Sequence, residues 1–341
     1  MEKKKKKHLA ILAVTIASLL VVYLVIALLP RGRNYPLDNP MIKSDGLPYL
    51  IAHGGGNKEF PDNTLEAFYN AYSVDRGVVM ETDVSITKDG VVILSHDTTL
   101  DRKTNVTGAI ADWSYADLMA KEVNFGYSNP TEDQKLSGER KIYTDGYGNE
   151  KTPLDVEYPE GVSPRHETVF LATTLEELLT AFPENMISVE IKQEGENGHR
   201  ALREVLRLLE EHDAFDRVIL ASFHGEIYDE LVRLDRSGEV PEGFIYSPCT
   251  GGVVKYFLLY VTGLDVFFGD GIGVLQIPTE EYGINLALAG LIKNAHRHNI
   301  GVHYWTVNDE DEMRRLVEIG ADGIMSDYPH RLAEVYAEYS K

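Results

Sequence analysis

The chain has 341 residues, 43% hydrophobic and 26% charged, the balance of a folded body with ample length to bury a core. Its formal net charge of −21 argues against nucleic acid as a partner, because neutralising phosphates requires clustered cations. The single cysteine, Cys249, excludes an internal disulfide framework and any zinc cluster built on cysteines.

The charge is unevenly placed. Residues 1–34 carry +6, from Lys3 to Lys7, Arg31 and Arg33 against Glu2, which leaves −27 on the rest. Between these basic flanks, Leu9–Leu29 holds no charged residue. At about 1.5 Å per residue this run spans the roughly 30 Å hydrocarbon layer of a bilayer. It is longer than the apolar core of a signal peptide, about 7–15 residues, and no small-x-small cleavage site follows it. The expectation is an uncleaved single-span helix over 9–29 behind a basic tail over 1–8. The excess of lysines on the N-terminal side puts that tail in the cytoplasm and the acidic body outside it or in a lumen. Residues 30–48, with Pro30, Pro36, Pro40 and Pro48, predict a short stiff linker.

From residue 49 strands and helices alternate. Tyr49–Ala52 is a short apolar run that ends in His53-Gly54-Gly55-Gly56. Thr64 is placed to cap a helix through Leu65, Ala67, Phe68 and Ala71. Val78–Val84 and Val91–Leu94 read as strands joined at Lys88-Asp89-Gly90, and Asp112 as the cap of a short helix near Leu118. Residues 122–167 are rich in Gly, Pro, Asp, Asn and Tyr without period and predict an insertion or lid. Thr174 opens a helix that stops before Pro183. Strands follow at Met186–Ile191, Val218–Ser222, Gly243–Tyr246, Gly301–Thr306 and Gly323–Met325. Helices follow at 199–212, 226–234, 286–298, 310–319 and 332–339. This alternation, with about eight strands, favours an α/β fold closed as a (β/α)8 TIM barrel over an open doubly wound sheet.

Polar side chains gather at the C-terminal ends of these strands, which a barrel collects on one rim. Glu81 and Asp83 lie two apart and share a face. Asp89-Gly90 is a hairpin signal, and a tight turn there would set Asp83 opposite His96. Glu190 and Lys192 form a second pair two apart. Three carboxylates without a thiol suit a hard cation, Ca²⁺ or Mg²⁺. Such an ion beside a lysine can hold a phosphate, and His53 and His96 can move protons on either side of it. The chemistry implied is phosphodiester cleavage.

These stretches resemble the glycerophosphodiester phosphodiesterase family. The resemblance rests on AHGGG (52–56), PDNTLEAF (61–68), ETDVSITKDG (81–90), SHDTTLDRKT (95–104), VEIK (189–192), ASF (221–223), YWTVN (304–308) and GADGIMSDYP (320–329). It implies a TIM barrel over 49–341, metal ligands at Glu81, Asp83 and Glu190, and an acid/base pair at His53 and His96. It also implies a phosphate contact at Lys192, an aromatic lining the substrate end at Trp305, and a structural asparagine at Asn63. Two positions depart from the family pattern. Gly54 stands where the family has an arginine, with Lys58 a nearby candidate substitute, and Asp62 stands where it has a glutamate.

The expected activity is metal-dependent hydrolysis of a glycerophosphodiester to sn-glycerol 3-phosphate and an alcohol, with His53 as base and His96 as acid. Segment 252–269 is unusually apolar and would suit a wall at the site mouth or a membrane-facing patch. A lysophospholipase D acting on lysophospholipids at the membrane is therefore the alternative enzyme. A non-catalytic, membrane-tethered phosphoester-binding module is the alternative from another class. Nothing in the sequence fixes the oligomeric state.

Overall fold

The computed structural model describes residues 2–43, 46–126 and 143–339. Part of the expected insertion, 127–142, lies outside the described residues. Eight parallel strands form a nearly closed barrel: β1 (Tyr49–Ala52), β2 (Val79–Ile86), β4 (Ile187–Ile191), β5 (Val218–Ala221), β6 (Ile245–Tyr246), β7 (Val274–Pro278), β8 (Gly301–Trp305) and β9 (Gly323–Ser326). The hydrogen-bonded order runs β6-β5-β4-β2-β1-β9-β8-β7. One backbone bond, from Gly273 N–H to the Tyr246 carbonyl at 3.3 Å, bridges the two free edges.

Strand β3 (Val92–Leu94) stands outside this ring, antiparallel to β2. The eight strands expected from sequence included it and lacked β7. Buried parallel strands read as short apolar runs without alternation, and Gln276 interrupts this one. The β2–β3 register also differs from the tight-turn expectation by one residue. Val84 faces Leu94, so Ser95, whose N–H donates to the Asp83 carbonyl, takes the place expected for His96. The cause is a wider turn, closed by the Thr87 N–H on the Val91 carbonyl and by the Thr87 hydroxyl on Asp89.

Helices pack around the ring and bury one stripe each. In α5 (Gly195–Glu211), Leu202, Val205, Leu208 and Leu209 are buried, and each contributes about 1.5–3 kcal/mol by leaving water. Helix α2 (Leu65–Val74) starts where the Thr64 hydroxyl accepts the Ala67 N–H, and α4 (Leu175–Ala181) where Thr174 and Glu177 form a capping box. Helix α3 (Tyr115–Ala120) is capped by Ser114 and not by Asp112, which ends a preceding 3₁₀ turn. A satellite core of Ile93, Leu100, Ile110, Leu118, Val123, Phe125 and Ala172 holds the loop after β3 against the barrel.

Helix α1 (Glu2–Leu28) is continuous and includes the lysines expected as a tail. Its stretch Lys7–Ile26 is long and apolar enough to cross a membrane. Residues 30–48 are more than a linker. Tyr35 and Met41 are buried against Ile219, Ile245 and Val274, near the N-terminal starts of β5, β6 and β7, and form the floor of the barrel. Asn39 donates to the carbonyls of Gly273 and Asn299, so the backbone of this segment is fastened as well.

Candidate active site

The strand ends bring the expected residues to one cavity of about 250 Å³. Its walls include His53, Glu81, Asp83, His96, Glu190, Lys192 and Trp305. Strand register explains the convergence. Asp83 of β2 is paired directly with Glu190 of β4, so their side chains emerge on the same side. Glu81 joins them two residues back. One carboxylate oxygen from each of the three lies within 4.8 Å of the other two.

The donor set fits a hard cation: all oxygen, without sulfur, and short of positive charge. Burial and the neighbouring Asp83 push the Glu81 carboxyl above its usual range; burial, with Asp83, does the same to Glu190 against the opposing Lys192. Positive charge at the centre would relieve both. Part of it is present, since Lys192 Nζ lies 3.0 Å from both Asp83 Oδ1 and Glu190 Oε1. Burial opposes the lysine's charge, but these two carboxylates outweigh it and hold the ammonium protonated.

Asn63 locks the cluster from behind. Its Nδ2 donates to Asp83 Oδ2 at 3.0 Å, and its Oδ1 accepts from the Thr82 hydroxyl and the Asp83 N–H. The structural role expected of it is visible in these three bonds.

Each histidine is held by a carboxylate that the sequence reading did not select. His53 Nδ1 lies 2.6 Å from Asp327 Oδ1, which leaves Nε2 towards Glu81 at 4.0 Å. Burial lowers the proton affinity of His53, but Asp327, Glu81 and Asp83 more than reverse this and raise it to about 10. His96 is half-exposed, with Nδ1 at 2.9 Å from Asp97 Oδ1. Asp97 in turn accepts from Arg102 through Nε at 2.6 Å and a terminal nitrogen at 2.8 Å. Burial works against the Asp97 charge, but His96 and Arg102 hold it well below the usual carboxylate range. The signal for these orienters was position: Asp97 follows His96 directly, and Asp327 directly follows the last strand.

Gly54 has a structural reason. Its φ is +55°, and a Cβ there would lie 2.8 Å from the Asp62 Cβ. Its N–H donates to Glu81 Oε2 at 2.8 Å. The backbone at this position thus orients a carboxylate of the cluster, and a Cβ would crowd Asp62 in the turn before α2. Lys58 does not line the cavity. Arg102 and Lys103, in the loop after β3, pair with Asp97 and with the buried Asp62.

Trp305 and Phe223 form an apolar lip, ring centroids 5.8 Å apart, with Lys192 over the Phe223 ring. No residue of 252–269 lines the cavity: that segment is a helix on the barrel's outer face, with the following turn. The expected wall at the mouth is supplied instead by the lip.

The glycerophosphoryl diester phosphodiesterase family model matches residues 53–331. The chain is 25% identical to the glycerophosphodiester phosphodiesterase of Bacillus altitudinis, over 85% of this chain and 98% of that one. It is 26% identical to lysophospholipase D GDPD1 of Rattus norvegicus, over 83% and 84%. Among solved structures it resembles an Oleispira antarctica phosphodiesterase in complex with the product sn-glycerol-3-phosphate, with a TM-score of 0.58 at 18% identity, covering 85% and 97%. With three strand-end carboxylates close enough to hold a metal ion, and a family model matched over residues 53–331, the chain belongs to the glycerophosphoryl diester phosphodiesterase family.

Proposed function

We propose that this protein hydrolyses glycerophosphodiesters to sn-glycerol 3-phosphate and an alcohol, with its barrel tethered to a membrane by residues 9–29. The carrying observation is that Glu81, Asp83 and Glu190 converge within 4.8 Å in one cavity with His53, His96 and Lys192. Glu81, Asp83 and Glu190 would hold Ca²⁺ or Mg²⁺, which would offset the charge of the phosphate and draw the proton affinity of His53 down towards that of a base.

The chain's own groups do the rest. Lys192 presents an ammonium to a phosphate oxygen at the edge of the cluster. One imidazole takes a proton from the attacking oxygen, of water or of the glycerol 2-hydroxyl, as its new bond to phosphorus forms; the phosphorus–oxygen bond to the alcohol breaks and the other imidazole gives a proton to the departing oxygen. Where the glycerol hydroxyl attacks, water then opens the cyclic phosphate with the two imidazoles in exchanged roles. Asp327 and Asp97 fix which nitrogen of each ring meets the substrate. Trp305 and Phe223 cover the organic side of the ester.

A lysophospholipid is the second substrate reading, favoured by the apolar lip and by the likeness to the rat lysophospholipase D. The positive charge at the N-terminal end of the span favours that end in the cytoplasm and the barrel on the other side.

The test uses the full chain in detergent micelles, with glycerophosphocholine or lysophosphatidylcholine as substrate and Ca²⁺, Mg²⁺ or chelator added. Release of sn-glycerol 3-phosphate that is abolished by chelator, by His53→Ala and by Glu81→Ala is the expected result. Preferential release of lysophosphatidic acid would establish the second reading. Binding without turnover would overturn both and leave a phosphoester-binding module.

A further inference from the structure

Helix α7 (Thr250–Thr262) carries an apolar stripe that no other described residue covers. Val254, Leu258 and Val261, spaced four and three apart, lie on one face and are 52%, 57% and 55% exposed. Phe267, in the turn beyond the helix, is 61% exposed. Exposed apolar side chains grouped in this way mark a contact surface.

The structure also shows what adjoins the stripe. The Tyr23 hydroxyl of α1 donates to the Thr262 carbonyl at 2.8 Å, and Gly263 leaves room for that ring. Arg31, just past the apolar run, makes two bonds to Asp265 at 2.7 and 2.8 Å. The C-terminal end of α7 is therefore pinned to the end of α1 that leaves the apolar stretch. Tyr and Arg at such an end belong at the level of the lipid headgroups. Charge agrees with this placement. Residues 250–264 contain no Asp or Glu, and of the two aspartates flanking Phe267, Asp265 is buried against Arg31 and Asp270 pairs with Lys255, so this surface presents little net charge to lipid in a body that carries −27.

We propose that the stripe Val254–Leu258–Val261, with Phe267, is a second membrane contact, lying in the interface of the bilayer that α1 crosses. The inference rests on the reading of residues 9–29 as a span. It adds a foot that, with the Tyr23 and Arg31 contacts, holds the barrel at a fixed attitude to the bilayer. Insertion is driven by apolar area, so it persists on neutral lipid.

The test places single nitroxide labels on the full chain, in a Cys249→Ser background, reconstituted into phosphatidylcholine vesicles. Labels at Leu258→Cys, Val261→Cys and Phe267→Cys are compared with Ile16→Cys inside the span and Tyr282→Cys on the exposed surface. The readout is relaxation by oxygen relative to a water-soluble nickel complex. The expected ratio at 258, 261 and 267 exceeds that at 282 by about threefold or more, as for side chains within the interface. If 16 reports lipid while 258, 261 and 267 match 282, the foot is refuted and the span stands. If 16 also reports water, the span fails and the foot with it. Shielding of 258 and 261 from both reagents, in vesicles and micelles alike, would place a protein there and overturn the proposal.

Discussion

Replacing Asp327 with asparagine tests how the site controls its first histidine. Three side-chain donors meet this carboxylate: His53 Nδ1 and Asn57 Nδ2 at Oδ1, and Asn308 Nδ2 at Oδ2. Asn308 cannot turn its amide over, because its Oδ1 already accepts from the Ser326 hydroxyl and the Asp327 N–H. The new amide must therefore direct its oxygen to Asn308 and its NH₂ to His53. A donor would then face Nδ1, which drives the imidazole proton to Nε2, the nitrogen that faces the cavity. A base at Nε2 is lost, and an imidazolium loses its anionic partner, so proton transfer suffers in either direction. Loss of one general acid or base costs about 10²–10⁴ in rate, or about 2.7–5.5 kcal/mol of barrier. The assay is kcat for sn-glycerol 3-phosphate release at saturating metal, beside thermal unfolding and the ¹⁵N shifts of the His53 ring. A kcat within about threefold of the parent, with the Nδ1–H tautomer retained, would refute the reasoning.

Asn63→Gly keeps a residue tolerant of the φ of +61° but removes the bonds that aim Asp83. The metal concentration for half activation should rise about 10–100-fold, and an unchanged value would show that Asp83 orients itself. His303 is buried completely, and burial pushes it down to about 4 from an ordinary 6.5. The unfolded chain therefore takes up this proton first as pH falls. Stability is intact above pH 6.5 and declines towards pH 4, by about 3 kcal/mol for a shift of this size. His303→Phe should flatten that part of the denaturation profile, and parallel profiles for the two proteins would contradict it. Met41→Ala opens the barrel floor and should cost about 2–5 kcal/mol in chemical denaturation; a loss below about 1 kcal/mol would mean that the floor refills.

Local chemistry made much of the architecture legible. Thr64 and Thr174 announced their helices because a cap is a short-range device. The pairs Glu81/Asp83 and Glu190/Lys192 announced a shared face because strand period is fixed. What escaped depended on contacts between distant segments. Asp327 meets His53 across 274 positions, and nothing local to either distinguishes that partnership. Strand β7 lacked alternation because both of its faces are covered. The hairpin slipped one residue because the Thr87 hydroxyl widened a turn that Asp89-Gly90 alone would have left tight. Tyr35 and Met41 looked like linker because the cavity they fill is built from residues 219, 245 and 274.

The plugged floor bears on how cargo reaches the enzyme. The polypeptide enters the barrel from below, through Tyr35 and Met41, while the carboxylates open at the opposite end. With the tether proposed above, the moored end is the floor and the carboxylates open at the other, so soluble esters would approach from the aqueous side. A single-chain lipid of the host leaflet would first have to leave its neighbours and travel along the side of the barrel, so its capture would be governed by escape from the leaflet before any bond is broken.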